Sequence, residues 1–125
     1  MTAFKWLVRL HIVANVVLAA YFMLWDPQKL ANALLLEAPA ELVRALGIIY
    51  IFVTLAYLPS AIAPSRCMPS NLFVLLGPIL PIIMFVTIGW SSRGFLWLAA
   101  YELLFTVVLN VGFRRDYVAD LMARP

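Results

Sequence analysis

Long apolar runs separated by short polar stretches dominate this chain. Four of these runs have roughly the 20 residues that a helix needs to cross the hydrocarbon core of a bilayer. They cover residues 6–25, 42–62, 71–90 and 94–113. Loops as short as those between the later runs connect neighbouring antiparallel helices. The pattern therefore predicts one all-α domain, an integral membrane four-helix bundle.

The connection between the first two runs predicts a further short helix. Asp26 is a favourable N-cap residue and Pro27 a favourable first helical residue. The segment 27–37 places Leu30, Leu34 and Leu35 along one side and is followed by Pro39, which ends it. A helix of this kind lies flat in the headgroup region of a membrane. We therefore expect a short interfacial helix between the first and second spans.

Prolines and charges predict the details of the second half. Pro78 and Pro81 lie inside the third run, where they remove backbone hydrogen bonds and kink the helix. The loop 91–93 is short enough to make the third and fourth spans a tight hairpin. The segment 114–125 is charged and only weakly amphipathic, and we expect it to form a cytoplasmic tail.

Composition supports lipid as the solvent of this chain. The 125 residues are 66% hydrophobic and 12% charged, a charged fraction about half that of soluble proteins. The net charge of +3 is small, which gives no indication of nucleic-acid binding. With one cysteine, Cys67, and one histidine, His11, the chain offers no intrachain disulfide and no metal-binding motif.

The basic residues predict the orientation of the bundle. Six of the nine fall on one side of the predicted spans: Lys5, Arg9, Arg66, Arg114, Arg115 and Arg124. Basic residues concentrate on the cytoplasmic side of a membrane, so both termini are expected to be cytoplasmic. The first apolar run is longer than the core of a signal peptide and lacks a clear cleavage site. We expect it to be a retained transmembrane helix.

Glu102 is the most informative single residue. It lies in the fourth apolar run with no other charge between Arg93 and Arg114. A charged side chain at membrane depth costs about 3 kcal/mol or more and usually faces a partner or a wet cavity. Arg44 lies near the outer end of the second span, and its side chain is long enough to reach inward. We therefore expect an ion pair between Arg44 and Glu102. In the alternative, Arg44 pairs with Glu41 or Glu37 and Glu102 is protonated and hydrogen-bonded.

Other polar residues share helical faces with these groups. Glu102, Thr106 and Asn110 follow one another at intervals of four residues, and His11 and Asn15 lie one turn apart. Judged by depth, His11, Asn15, Thr106 and Asn110 are expected to form a second polar layer in the inner half of the membrane. This layer serves either helix packing or proton transfer, and the sequence leaves both roles open.

The second span carries small and hydroxylated residues at helical spacing. They are Gly47, Tyr50, Thr54, Tyr57 and Ala61. Such residues allow close helix packing and hydrogen bonds between helices. Tyr50, together with Glu102 and Trp97, is also a candidate for lining a quinone pocket.

Three short features resemble the DoxX-like group of small four-helix bacterial membrane proteins. They are Asp26-Pro27 after the first span, the segment Glu41-Leu-Val-Arg44-Ala-Leu-Gly47, and the late Glu102. The resemblance implies a four-helix bundle in the bacterial inner membrane. It also implies an accessory partner of redox-linked or quinone-linked systems, and importance for Glu41, Arg44 and Glu102.

Two functional hypotheses follow. In the first, the chain is a non-catalytic accessory or scaffold subunit that contacts membrane lipids and other integral membrane subunits or a second copy of itself. No catalytic residues and no cofactor ligands are predicted, although an apolar bundle is able to bind a lipid or a quinone. In the second, the chain is a small proton-coupled transporter that uses Glu102.

Overall fold

A computed structural model describes residues 1–25, 29, 39–89 and 93–124. The predicted interfacial helix over 27–37 lies outside the described residues, apart from Lys29. The same holds for the predicted hairpin loop over 91–93, apart from Arg93. Within the described ranges the chain is helical and contains no strand.

Four membrane-length helical segments confirm the predicted all-α architecture. The helices are α1 (Thr2–Leu24), α2 (Ala40–Ile62), α3 (Met68–Leu76), α4 (Ile79–Gly89) and α5 (Gly94–Met122), with a 3-10 turn at Pro64–Arg66 before α3. Counting α3 and α4 as one segment, Met68–Gly89, the chain has four helices long and apolar enough to cross a membrane. This is the organisation of a multi-pass membrane protein.

The third segment is interrupted where the prolines predict a kink. α3 ends at Leu76, Gly77 and Pro78 form a turn, and α4 begins at Ile79. The Gly77 N–H still donates to the Phe73 carbonyl at 2.9 Å, whereas Pro78 has no N–H to continue the ladder. A Cβ atom at position 77 would collide with the Phe73 carbonyl oxygen, so glycine is required at this turn.

The helix of the fourth span, α5, is longer than the sequence predicts. α5 does not end at Phe113 but continues to Met122, so most of the expected tail is helical. No proline interrupts residues 113–124, and the carboxylate of Asp116 accepts a hydrogen bond of 2.8 Å from the Phe4 N–H. This bond satisfies one of the free N–H groups at the start of α1, which therefore lies against the last turns of α5.

The helices form a closed ring in chain order. α1 contacts α2, α2 contacts α3, α3 and α4 contact α5, and α5 contacts α1. Gly47 allows α1 and α2 to approach closely, because a Cβ atom there would lie 3.1 Å from the Ala19 carbonyl oxygen of α1. Large apolar residues also cover the outside of the ring, as expected where lipid is the solvent; Phe52 and Leu80 are 75% and 76% exposed.

Candidate functional site

Glu102 lies inside the ring, at the wall of a cavity. Its side chain projects from α5 and is 5% exposed. The cavity has a volume of about 80 Å³, which is room for several water molecules. Apart from Glu102, its lining comes from α2 and the interrupted third segment: Leu46, Ile49, Tyr50, Val53, Tyr57, Phe73, Gly77, Pro78, Pro81, Met84 and Phe85.

The cavity opens sideways, towards lipid. Three of its lining residues, Ile49 on α2, Phe73 on α3 and Met84 on α4, are 54%, 44% and 43% exposed. These residues lie at least five residues inside the ends of their membrane-length segments, so the mouth between α2 and α3–α4 faces the hydrocarbon core. Glu102 lines the same cavity, so this mouth is the side from which a lipid-soluble molecule would approach it.

The helix interruption helps to form the cavity. Gly77, Pro78 and Pro81 belong to its wall, opposite Glu102. Gly77 contributes no side chain, and the two prolines lack the N–H groups that would complete a regular helix at this point. Irregular backbone at membrane depth is tolerated where it lines a cavity. The sequence features that break the third segment therefore lie beside the buried carboxyl.

Tyrosines surround the Glu102 carboxyl group. The Tyr50 hydroxyl is directed at Glu102, but it has no hydrogen-bond partner at direct contact distance. Tyr57 lines the same cavity, about two turns further along the same face of α2. Tyr101 precedes Glu102 in the chain, and its hydroxyl donates to Asn15 Oδ1 at 2.6 Å. Among the described residues, the carboxyl group thus has tyrosines as its polar neighbours and no cation paired with it.

His11 lies next to these tyrosines and is completely buried. Its ring stacks on Phe105 with a centroid distance of 4.2 Å. The Tyr57 and Tyr101 rings lie 5.4 Å and 6.0 Å away. Neither ring nitrogen has a hydrogen-bond partner. Buried polar atoms are normally paired, so His11 is an exception that requires an explanation.

The expected Arg44–Glu102 ion pair is not formed. Arg44 is exposed on α2, and the ion pair found among the described residues joins the Met1 amino group to Asp120 at 3.3 Å. Arg44 precedes Tyr50, the α2 neighbour of Glu102, by six residues, which is about 9 Å along the helix and about a third of a turn away in direction. The alternative partner Glu41 is also exposed and makes no ion pair with Arg44 within the described ranges. Glu37 lies outside them.

The expected second polar layer is also divided. His11 and Asn15 lie level with Phe105 and Tyr101, about one turn deeper than predicted. The Thr106 hydroxyl instead donates to the Glu102 carbonyl at 2.7 Å. Asn110 Nδ2 donates to the Thr106 carbonyl at 2.8 Å and to the Leu75 carbonyl of α3 at 3.3 Å. Thr106 and Asn110 therefore hydrogen-bond to backbone carbonyls of α5 and α3 rather than to His11 or Asn15.

Two of the three residues expected to line a quinone pocket lie together in the structure. Tyr50 and Glu102 share the cavity, whereas Trp97, the third residue expected in a quinone pocket, is 70% exposed. Phe105 and Tyr101 were missed as site residues. In the sequence they are marked only by lying close to Glu102. Lipid-facing residues of the same helix also lie close to Glu102, so this position did not distinguish them.

The described residues contain no group of three histidine, cysteine, aspartate or glutamate side chains placed to hold a metal ion. Comparisons with protein-family models, with curated proteins and with solved structures gave no match. The likeness to DoxX-like proteins accordingly stays a prediction from short motifs.

Proposed function

We propose that this chain is a non-catalytic accessory subunit of a bacterial inner-membrane complex and that it holds a lipid-soluble, quinone-like ligand beside Glu102. The observation that carries the proposal is the cavity itself. It is apolar along its walls, opens towards lipid, and ends at a buried carboxyl group and the unpartnered Tyr50 hydroxyl. An apolar pocket with a few convergent polar groups is the usual form of a small-molecule site.

The polar groups suit a ligand that accepts hydrogen bonds. An ionised carboxylate is costly at membrane depth unless a cation stabilises it, and no described cation pairs with Glu102. In its neutral form the carboxyl group donates one hydrogen bond, and the Tyr50 hydroxyl donates another. A quinone ring offers carbonyl oxygens to such donors, and the Phe73 and Phe85 side chains offer aromatic surface to the ring.

The accessory role is supported by what surrounds the cavity. Its polar lining consists of Glu102 and two tyrosines, groups that bind and orient a ligand. Large apolar side chains such as Phe52, Leu80 and Trp97 project from the outside of the ring. They pack equally well against lipid or against the helices of another subunit.

Ligand binding is tested with a short-chain quinone titrated into the protein in lipid nanodiscs. Glu102→Leu and Tyr50→Phe are each expected to weaken binding about tenfold, the equivalent of one lost hydrogen bond of about 1.4 kcal/mol. Glu41→Leu and Tyr21→Phe make the same chemical changes at exposed positions and should bind like the wild type. Wild-type affinity in Glu102→Leu would contradict the proposed site.

The accessory role has a separate test. Mild-detergent purification of the tagged protein from its native membrane should yield a stoichiometric integral membrane partner, identified by mass spectrometry. Deleting the gene should lower the amount of that partner. If the protein purifies alone and deletion depletes no membrane complex, the accessory role is wrong, whereas the ligand site is judged by the titration.

The alternative of a small proton-coupled transporter is favoured by one observation, the position of Glu102 beside a broken helix. Transporters place substrate and coupling-ion sites at interrupted helices near the middle of the membrane. The test is uptake of a lipophilic cation into proteoliposomes driven by a pH gradient. Transport that depends on Glu102 would favour the transporter over the accessory subunit. Glu102→Gln with full activity would argue against this use of the carboxyl group.

A further inference from the structure

A polar crevice lies at the end of the bundle that carries Met1. It has a volume of about 330 Å³ and is formed by the first turns of α1, the end of α2 and the last turns of α5. Its lining residues are Met1, Thr2, Lys5, Ile62, Ala63, Pro64, Ser65 and Asp120. The ammonium group of Lys5 and the hydroxyl groups of Thr2 and Ser65 are hydrogen-bond donors. The crevice shares no residue with the lining of the Glu102 cavity.

Arg9 places a second cation beside this crevice. It follows Lys5 by four residues, so both side chains lie on one face of α1. The Arg9 Nε donates to the Ala61 carbonyl at 3.0 Å, and Ala61 directly precedes the α2 residues that line the crevice. The guanidinium carbon of Arg9 lies 4.7 Å from the centre of the Trp6 ring. Two contacts therefore hold the guanidinium group at the end of α2, one helical turn from Lys5.

Lys5 and Arg9 form no ion pair within the part of the chain that the structure describes. The acidic residue that lines the crevice, Asp120, pairs instead with the Met1 amino group at 3.3 Å. Like charges one helical turn apart repel each other. An anion bound between Lys5 and Arg9 would remove this repulsion, and a phosphate group is well suited to both side chains.

The position of Lys5 along α1 matches the headgroup layer of a membrane. Lys5 precedes Trp25, the C-cap residue of α1, by 20 residues, which is about 30 Å along an α-helix. The hydrocarbon core of a bilayer is also about 30 Å thick. Tryptophan is enriched at membrane interfaces, and the side chain of Trp25 is exposed. With Trp25 at one interface, Lys5 lies at the other, at the level of the lipid phosphates.

Apolar surface leads from the crevice towards the hydrocarbon core. Ile62 belongs to the crevice lining and is largely exposed. Leu58 lies one turn earlier on the same face of α2 and is also exposed. A phospholipid joins a phosphate group to acyl chains in the same order from the interface inward. This arrangement therefore favours a lipid over a free phosphate ion.

We propose that the crevice binds the headgroup of an anionic phospholipid. The phosphodiester group accepts hydrogen bonds from the Lys5 ammonium group and from the Arg9 guanidinium group, which has N–H donors besides Nε. Thr2 and Ser65 offer hydroxyl groups to the rest of the headgroup. The acyl chains follow the apolar surface of α2. Basic pockets between transmembrane helices are a common form of site for anionic lipids.

Native mass spectrometry of the protein in mixed micelles tests this site. Short-chain phosphatidylglycerol and phosphatidylcholine are titrated separately, and the Kd of the first bound lipid is measured. The anionic phosphatidylglycerol is expected to bind at least about tenfold more tightly than the zwitterionic phosphatidylcholine. Lys5→Gln and Arg9→Gln should each weaken phosphatidylglycerol binding about fivefold, the equivalent of about 1 kcal/mol for each cation near the membrane surface.

Arg115→Gln is the matched control for a diffuse effect of charge. Arg115 is exposed and precedes Asp116, whose carboxylate accepts the Phe4 N–H, so it lies at the same end of the bundle. Its replacement removes the same charge outside the crevice lining, and the Kd for phosphatidylglycerol should stay within about twofold of the wild type. Lys5→Gln leaves the contact between Arg9 and α2 intact, so it decides the matter if Arg9→Gln does not fold.

Three results would overturn the proposal. Equal affinity for the two lipids would mean that the headgroup charge is not recognised. A loss in Arg115→Gln as large as that in Lys5→Gln would show a diffuse basic surface instead of a site. Displacement of phosphatidylglycerol by an equal concentration of inorganic phosphate would show an anion site that does not require a lipid. None of these measurements depends on quinone binding, so this site and the ligand site beside Glu102 fail independently.

Discussion

Two buried polar regions of this bundle differ in how completely they are hydrogen-bonded. The first, here called the turn network, joins the end of α2 to the start of α3. The Ser60 hydroxyl lies 2.7 Å from Asn71 Oδ1 and 2.8 Å from the Ser70 hydroxyl, and Asn71 Nδ2 donates to the Pro64 carbonyl at 2.6 Å. Each of these side chains has a partner, as expected for a structural network.

The second region, here called the Glu102 cluster, is incompletely paired. It contains His11, Tyr50, Tyr57, Tyr101 and Glu102. Among the described residues, every buried side-chain nitrogen or oxygen without a hydrogen-bond partner belongs to His11 or Tyr50. The cluster also borders the lipid-facing cavity. Both regions are buried and polar, but only the second retains unused hydrogen-bonding capacity beside a space that a ligand or water can occupy.

The turn network should therefore carry the larger share of stability. Asn71→Ala removes the hydrogen bonds that the Asn71 amide makes with the Pro64 carbonyl and the Ser60 hydroxyl, and the free energy of unfolding should fall by about 2 kcal/mol. Reversible unfolding in mixed micelles measures the loss. Leu72→Ala changes a half-exposed neighbour on the same helix and should cost less than Asn71→Ala. Equal losses in the two variants would remove the distinction between the regions.

The hydrogen bond between Tyr101 and Asn15, at the edge of the Glu102 cluster, should contribute less to the free energy of unfolding. Tyr101→Phe deletes the hydroxyl that donates to Asn15 Oδ1. Hydrogen bonds between membrane helices contribute about 0.6 kcal/mol on average, so the expected loss in unfolding free energy is of that order. Tyr21→Phe is the matched control at an exposed position, and its stability should equal that of the wild type. A loss as large as that of Asn71→Ala would show that the cluster is as structural as the turn network.

The unpaired part of the cluster should contribute least to stability. Tyr50→Phe removes a hydroxyl that has no direct partner, so the free energy of unfolding should change by less than about 0.5 kcal/mol. The same variant should weaken quinone binding in nanodiscs. This separation of stability from binding is the sharpest difference between the two regions. A large loss of stability with unchanged binding would reverse it.

The sequence predicted the spans better than the contacts between them. Apolar runs of membrane length are a direct consequence of lipid solvation, which is why the four segments were predictable. The extension of α5 to Met122 was missed because charged residues after Phe113 were interpreted as a tail. Asp116 instead accepts a hydrogen bond from the start of α1, a contact between opposite ends of the chain that no local pattern reveals.

The site was predictable in its central residue and not in its partners. Glu102 stood out because a carboxyl group in an apolar run is costly. The expected partner Arg44 was chosen from depth alone, but the rotation of α2 turns Arg44 outward and Tyr50 inward. The turn network was missed for a related reason. Asn71 and Ser60 meet only because the 3-10 turn at Pro64–Arg66 brings α3 back against α2.

The most direct test of the central claim is chemical modification of Glu102 from the lipid phase. Dicyclohexylcarbodiimide, a hydrophobic reagent, reacts with protonated carboxyl groups, and a water-soluble carbodiimide serves as its counterpart. In native membranes, peptide mapping by mass spectrometry should find the hydrophobic reagent on Glu102, with protection by added short-chain quinone and with little labelling by the water-soluble reagent. Absence of labelling by the hydrophobic reagent, or labelling that quinone does not reduce, would contradict a lipid-accessible ligand site at Glu102.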